Sequence, residues 1–238
     1  MPLFLKNRNP HLIEWMDRDD CDKELLFNTY DQFDKINKLL SGWNGIYKHY
    51  IKPHLLKSGS NPNRPFSILD IGCGGGDILR YLNALCSKDG FNVLFTGIDP
   101  DTRALDYSKQ SFQPENILFF SERSDVLVKE NRTFDIVISN HLIHHLTSGE
   151  LTAICRDAST LATISVIFSD IERSDLGYLA FQTFAPMLFR KSYIVADGLT
   201  SIRKSYRKDE LLQQLPDGWR VVKKFPFRLL AIYNRDPE

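Results

Sequence analysis

Apolar and polar positions follow a helical period in the first part of the chain. Between Leu25 and Leu56, apolar and aromatic residues recur every three or four positions, which predicts two amphipathic helices. The segment from Lys57 to Pro65 then collects Ser, Gly, Asn and Pro, which interrupt regular structure. We therefore predict an N-terminal helical arm, acting as a lid, over residues 1–64 and a core over 65–238.

After residue 65 the pattern changes to short apolar runs that alternate with helical segments. The runs are SILDIG, NVLFTGID, NILFF, FDIVIS, ATISVIFSD, WRVVKKF and RLLAIYN. Such alternation predicts a parallel sheet with helices on both faces. A helical, aromatic-rich insertion, broken at Pro186, is predicted at about 171–205, after the fifth strand. The expected fold is thus α/β and Rossmann-like: a doubly wound, mostly parallel seven-stranded sheet with a helical arm and a helical insertion.

Composition narrows the function classes. The 238 residues are 42% hydrophobic and 25% charged, as in one globular unit. Equal numbers of basic and acidic side chains, 30 each, disfavour nucleic acid as a partner. No segment approaches the ~18 apolar residues of a membrane span, so a cytoplasmic protein is expected. The four cysteines form no C-x-x-C pair, which argues against a zinc knuckle and a disulfide framework.

The strongest motif is LDIGCGGGD, where a buried strand runs into a glycine-rich turn and then an amphipathic helix. Gly72, Gly74 and Gly76 let the backbone approach a nucleotide-like ligand. In the dinucleotide fingerprint G-x-G-x-x-G the third glycine would fall at Asp77, whose carboxylate would repel a pyrophosphate. A nucleoside without phosphates fits better, such as S-adenosylmethionine, whose ammonium group Asp70 or Asp77 would attract.

Two further elements follow later strands. In FTGIDPD, Asp99 ends the second strand, where a carboxylate can accept both hydroxyls of a ribose. In FDIVISNHLIHHL, the fourth strand ends near Ser139 and is followed by Asn140 and three histidines.

Together these elements resemble the class I S-adenosylmethionine-dependent methyltransferase family. Its pattern is an acid before G-x-G-x-G, an acid ending the second strand, and a polar, often His-containing segment after the fourth. The likeness spans about Ser67 to Asp170 and implies S-adenosylmethionine as the cofactor, with S-adenosylhomocysteine as its product. The implied cofactor-binding residues are Asp70, Gly72, Cys73, Gly74, Gly76, Asp99, Pro100, Asp125 and Asn140.

The segment after the third strand departs from that family pattern. The family commonly places an acid there to hold the adenine amino group, but SERSD puts Arg123 near the expected place. Asp125 is the candidate, with Glu122 as the alternative. No Asn-Pro-Pro-Tyr-type element follows the fourth strand, so the resemblance does not point to methylation of nucleobase or amide nitrogens.

A finer likeness concerns the acceptor. EWMDRDDCD, NHLIHHL and DGLTSIRKSY resemble small bacterial methyltransferases of phenolic, polyketide or quinone-like secondary metabolites. That likeness implies O-methylation of a small aromatic or lipid-like acceptor. His144 is the candidate general base, because a helix beginning at Asn140 would put both residues on one face. His141 and His145 remain alternatives.

Other interpretations stay open. Asn140 and Asp170 stand at strand ends, but two ligands are too few to predict a magnesium site, and no metal is assigned. The basic run SIRKSYRK could meet an anionic substrate, although a solvated helix approach is the commoner interpretation. The alternative functions are a nicotinamide-dependent oxidoreductase, disfavoured by Asp77 and by the lack of a later Tyr-x-x-x-Lys element, and a catalytically silent cofactor-binding protein.

Overall fold

A seven-stranded sheet forms the centre of the computed structural model, which describes residues 3–58, 64–110 and 114–235, apart from the side chains at 34 and 38–40. The strand order is β3-β2-β1-β4-β5-β7-β6. The first five strands are parallel, and β7 runs antiparallel between β5 and β6. The strands are β1 (Phe66–Ile71), β2 (Val93–Ile98), β3 (Ile117–Phe120), β4 (Phe134–Asn140), β5 (Ala162–Ile171), β6 (Trp219–Lys224) and β7 (Arg228–Asn234). The predicted α/β fold with a mostly parallel seven-stranded sheet is confirmed.

Helices cover both faces of this sheet. In chain order they are α1 (Lys23–Leu40), α2 (Trp43–Ile46), a π-helical segment (Tyr47–Ile51), α3 (Lys52–Ser58), α4 (Asp77–Lys88), α5 (Thr102–Gln110), α6 (Ser124–Lys129), α7 (Ser148–Leu161), α8 (Asp175–Leu188), α9 (Ile194–Lys204) and α10 (Lys208–Gln214). One apolar layer lies between the sheet and α6, α7 and α10. The other lies between the sheet and the α2–α3 segment together with α4. Both faces are therefore buried, as the unbroken apolar runs of the central strands require.

The N-terminal arm shares the core of the sheet. Asp22 caps α1 by accepting a hydrogen bond from the Leu25 amide. Farther along, Trp43 and Ile51 are buried with β1 and β2 in one apolar cluster. The predicted break between arm and core falls largely on residues 59–63, outside the described residues. Because the arm contributes side chains to this apolar cluster, it packs directly against the sheet and shares its core.

The insertion after β5 consists of α8 and α9, which pack against each other. Pro186 was expected to break the helical sequence, but it lies in the last turn of α8, which ends at Leu188. The proline removes one backbone donor, and the helix ends two residues beyond it, so the interruption of the helical sequence lies between Leu188 and Ile194. Five large apolar side chains of α8 are exposed: Leu176, Leu179, Phe184, Met187 and Leu188. In the part of the chain that the structure describes, no helix has both the length and the apolar character needed to span a membrane.

Candidate active site

A cavity of about 1350 Å³ opens at the carboxyl ends of the parallel strands. Its floor is formed by the segments that follow β1, β2 and β4. The arm closes one side through residues 10–19 and 30–41, and α8 and α9 close the other. The cavity thus lies where ligands of open α/β sheets bind.

The glycine-rich turn forms one end of this cavity. The backbone at Gly74 has φ 50°, in the left-handed region that glycine tolerates, and its amide donates to Asp99 Oδ2 at 2.9 Å. Gly76 does not line the cavity. A Cβ on Gly76 would approach the Phe119 ring to 2.3 Å, so that glycine is needed for packing between the turn and β3.

Buried carboxylates make this end of the cavity acidic. Asp70 is 1% exposed, and its Oδ1 has no hydrogen-bond donor among the described residues. Burial, then the negative charges of Asp77 and Asp99, raise the pKa of Asp70 well above its ordinary value. Burial also raises the pKa of Asp99, although the Gly74 and Asp101 amides that donate to it oppose the shift. This wall would therefore gain free energy from a cation.

The histidine segment adopts a different local structure from the expected one. β4 continues to Asn140, His141 takes φ 60°, and only Ile143–His145 form a turn of 3-10 helix. The expectation that a helix begins at Asn140 was wrong, because the left-handed residue 141 turns the chain immediately after the strand.

His144 lies between two carboxylates. Its Nδ1 lies 2.7 Å from Asp170 Oδ1, and its amide donates to Asp170 Oδ2. Its Nε2 lies 3.2 Å from Oε1 of Glu14, which comes from the arm. Burial alone would lower the pKa of His144, but the two carboxylates outweigh it and raise the pKa to about 9. His144 is therefore mostly protonated at neutral pH.

Glu14 is the centre of a buried ionic cluster. Its Oε1 accepts a hydrogen bond from Ser201 and lies 3.4 Å from Lys204 Nζ. Burial would raise the pKa of Glu14, but the hydrogen bond from His144 and the nearby positive charges lower it to about 2. Lys204 is only 3% exposed, so it is not the solvated lysine that the basic run suggested.

His145 is half-buried, with 25% of its side chain exposed. Its Nδ1 lies 3.0 Å from Lys204 Nζ and 3.1 Å from Asp17 Oδ2. Glu14, His144 and His145 are spaced closely enough to share a metal ion. However, the Lys204 ammonium already supplies positive charge to the same Glu14 oxygen, so the charges here are paired without a metal.

A buried arginine anchors the start of the histidine segment. Arg228 Nη2 donates to Asn140 Oδ1 at 2.6 Å and to Ser169 Oγ at 2.8 Å, while Nη1 lies 2.8 Å from His141 Nε2. Trp43 also donates to Asn140 Oδ1. Burial, followed by the charge of Arg228, lowers the pKa of His141 well below its ordinary value. His141 is therefore neutral, and its Nε2 accepts the hydrogen bond from Arg228.

Most residues singled out in the sequence line the cavity: Asp70, Gly72, Cys73, Gly74, Asp99, Pro100, Asn140, His141, His144 and His145. Asp125 does not, and its carboxylate instead pairs with Lys129 at 2.7 Å and Arg123 at 3.4 Å on the surface. Sequence reasoning missed Glu14, Lys204 and Arg228. The signals present were the EWMD segment, the basic run, and a single arginine at the start of the apolar run RLLAIYN.

Known proteins resemble this chain in sequence and fold. Residues 68–163 match the model of a methyltransferase domain. The mitochondrial ubiquinone biosynthesis O-methyltransferase of Rattus norvegicus is 26% identical over 194 residues, 76% of this chain and 54% of the rat protein. The ubiquinone biosynthesis O-methyltransferase of Coxiella burnetii is 24% identical over 177 residues, 74% of this chain and 69% of that protein. The chain thus spans about half the length of the rat relative.

Solved structures share the fold at low sequence identity. The plantazolicin methyltransferase BpumL, in complex with a pentazolic desmethylPZN analogue and S-adenosylhomocysteine, gives a TM-score of 0.53 at 13% identity and covers 90% of this chain and 96% of its own. Human N-acetylserotonin methyltransferase, in complex with S-adenosylmethionine, gives 0.55 at 13% identity, covering 90% of this chain and 56% of its own.

Proposed function

We propose that this chain, in which residues 68–163 match a methyltransferase domain, is a class I S-adenosylmethionine-dependent methyltransferase that methylates a hydroxyl oxygen of a small aromatic or quinone-like acceptor. The observation that carries the proposal is one cavity with an acidic end at the glycine-rich turn and a histidine cluster beyond it. The predicted cofactor, S-adenosylmethionine, is that of the family.

The residues at the acidic end fit this cofactor. Asp70 offers a buried oxygen without a donor, which suits the cofactor's ammonium group. Asp99 is held by two backbone amides and lies beside the turn, which suits the ribose hydroxyls. No lysine or arginine nitrogen of the described residues lies within 4.0 Å of either carboxylate, so a cationic ligand would meet no competing ion pair.

The cavity has room and apolar wall for a second reactant. Its volume of about 1350 Å³ exceeds the roughly 300–1,000 Å³ of an ordinary small-molecule site. Phe33, Phe181, Phe184 and Leu188 contribute apolar surface from the arm and from α8. The relatives that act in ubiquinone biosynthesis support an aromatic or quinone-like acceptor.

The chemistry assigns separate roles to the histidines. When bound, the cofactor supplies an electrophilic methyl group, so the protein has to align the acceptor and make its oxygen nucleophilic. A phenol, with a pKa near 10, gains from a base. His144 is protonated and lies between the carboxylates of Glu14 and Asp170, so it has no free nitrogen to accept a proton. The acceptor nitrogen of His141 already accepts a hydrogen bond from Arg228. His145 is partly exposed to the cavity and is our candidate base, with the Glu14–His144–Asp170 network positioning it.

Substitution of His145 tests this assignment. In His145→Gln, turnover of a phenolic acceptor should fall by about 10²–10⁴-fold at pH 7 and partly recover at high pH, where the phenol ionises unaided. The affinity for S-adenosylhomocysteine should not change. His49→Gln, at an exposed histidine, is the matched control. Turnover close to wild type at pH 7 would remove His145 as the base, and tight cofactor binding without turnover of any phenol would favour a silent binding protein.

A further inference from the structure

Arg228 is a buried cation without an anionic partner. It is 4% exposed and lies at the first position of β7, where it pairs with Ile171 of β5 and faces the cavity. Its hydrogen-bond partners are an amide, a hydroxyl and an imidazole, all neutral, and its Nε has no partner among the described residues. No carboxylate oxygen in the described ranges lies within 4.0 Å of the guanidinium.

Such a charge is expensive unless something compensates it. A buried ion costs several kcal/mol unless an opposite charge or a full set of hydrogen bonds accompanies it. Burial lowers the pKa of Arg228 to about 10, with the charge of Asp170 opposing the shift. The group is thus still charged at neutral pH. The nearest partners of the Asp170 carboxylate are His144 and the Ile171 amide, so this carboxylate does not form an ion pair with Arg228.

The cavity is therefore polarised. Asp70 and Asp99 make the end beside the glycine-rich turn negative, where the cationic cofactor fits. Arg228 and Lys204, both almost fully buried, put positive charge on the wall formed by β7 and α9. Lys204 is balanced by Glu14 and Asp17, whereas Arg228 is not paired. An anionic group on the second reactant would complete the arrangement.

We propose that Arg228 binds a carboxylate of the acceptor, located ortho to the hydroxyl that is methylated. This inference rests on the proposed function and narrows its acceptor to an acidic phenol. A guanidinium suits a carboxylate because the opposite charges attract in a buried site and an N–H group without a protein partner can donate a charge-assisted hydrogen bond. An ortho carboxylate otherwise holds the phenolic proton in an internal hydrogen bond, so drawing the carboxylate to Arg228 would also free the hydroxyl for deprotonation.

Matched acceptors test the proposal in the wild-type protein. Two phenols with the same alkyl tail are compared, one with an ortho carboxylate and one with an ortho carboxamide of the same shape. A charged hydrogen-bonded pair is expected to favour the carboxylate by about 10- to 150-fold in kcat/KM. Calorimetry of each phenol, with S-adenosylhomocysteine present, should show the same preference in affinity. Equal values for the two phenols would overturn the proposal without any variant being made.

The variant Arg228→Gln locates the preference. We expect the ratio of kcat/KM for the carboxylate to that for the carboxamide to fall to about one in this variant, whatever its absolute rate, because the ratio compares two acceptors in the same protein. Arg220→Gln, on the neighbouring strand β6 with an exposed side chain, should keep the preference. A preference that survives in Arg228→Gln would contradict the assignment.

Two outcomes separate this inference from other failures. If Arg228→Gln lost affinity for S-adenosylhomocysteine while the wild type showed no preference, the anion would be the cofactor's own carboxylate, and the proposal would be overturned. If the wild type bound the carboxylate preferentially but methylated neither phenol, the anion site would stand and the proposed function would fail.

Discussion

Asp70→Asn should weaken cofactor binding and change the pH dependence of stability. The substitution keeps the shape of the side chain and removes a buried carboxyl group that can ionise against the positively charged ammonium group of the cofactor. A hydrogen bond to a charged group is worth roughly 1.5–3 kcal/mol, so the dissociation constant of S-adenosylhomocysteine should rise by about 10- to 150-fold. Isothermal calorimetry at pH 7.5 measures this change directly.

The stability of the free protein should move in the opposite direction. The pKa of Asp70 is raised in the folded protein, so the folded state binds a proton more tightly than the unfolded state. Its contribution to stability is therefore lost as the pH rises above the ordinary value for aspartic acid. Asp70→Asn removes this loss, and urea unfolding should show the variant gaining stability relative to wild type between pH 5 and pH 8.

Asp135 provides the matched control. It is also buried, but at the opposite end of the sheet, where Arg64 and the Ser67 amide donate to its two oxygens. Asp135→Asn should destabilise the free protein and leave the affinity for S-adenosylhomocysteine unchanged. If Asp70→Asn bound the product as tightly as wild type does, the assignment of the acidic end to the cofactor would be refuted.

Three further predictions concern the neighbouring groups. Asp99→Ala should weaken binding of S-adenosylhomocysteine more than tenfold by calorimetry, since a charged acceptor is lost, and unchanged affinity in a folded variant would contradict its ribose role. Because the pKa of His144 is raised to about 9 in the folded protein, its contribution of about 3 kcal/mol should be present below pH 6.5 and lost as the pH rises through 9. Urea unfolding at pH 6.5 and 9.5 should show that loss in wild type and not in His144→Gln. In Glu14→Gln this loss of stability should occur at lower pH, because one of the two carboxylates that favour the protonated imidazole is replaced by a neutral amide. An unshifted stability profile would show that Glu14 does not raise the pKa of His144.

The local sequence was sufficient to predict those parts of the site that lie at the end of one strand and in the turn that follows it. In LDIGCGGGD and FTGIDPD the strand, turn and helix are contiguous, so Asp70, Gly74 and Asp99 could be placed at one sheet edge from topology alone. The turn after β4 was harder to predict. The left-handed conformation of His141 is set by its surroundings, and nothing in NHLIHHL specifies it.

Long-range packing determined the groups that sequence reasoning missed. Glu14 reaches His144 across 130 positions of the chain, and Arg228 reaches Asn140 across 88. Neither pairing has a local pattern, because the arm and the antiparallel strand β7 meet the histidine segment only in the folded protein. Charge also misled the prediction for Lys204, since a run of basic residues does not reveal which of its members turns inward.

The destination of the methyl group is the most direct test of the central claim. The protein is incubated with S-adenosylmethionine that carries a deuterated methyl group and with the carboxylate-bearing phenol, and mass spectrometry and NMR locate the label. We predict the label on the phenolic oxygen adjacent to the carboxylate. Label on a ring carbon or on the carboxylate, or no label in an acceptor that calorimetry shows to be bound, would contradict it.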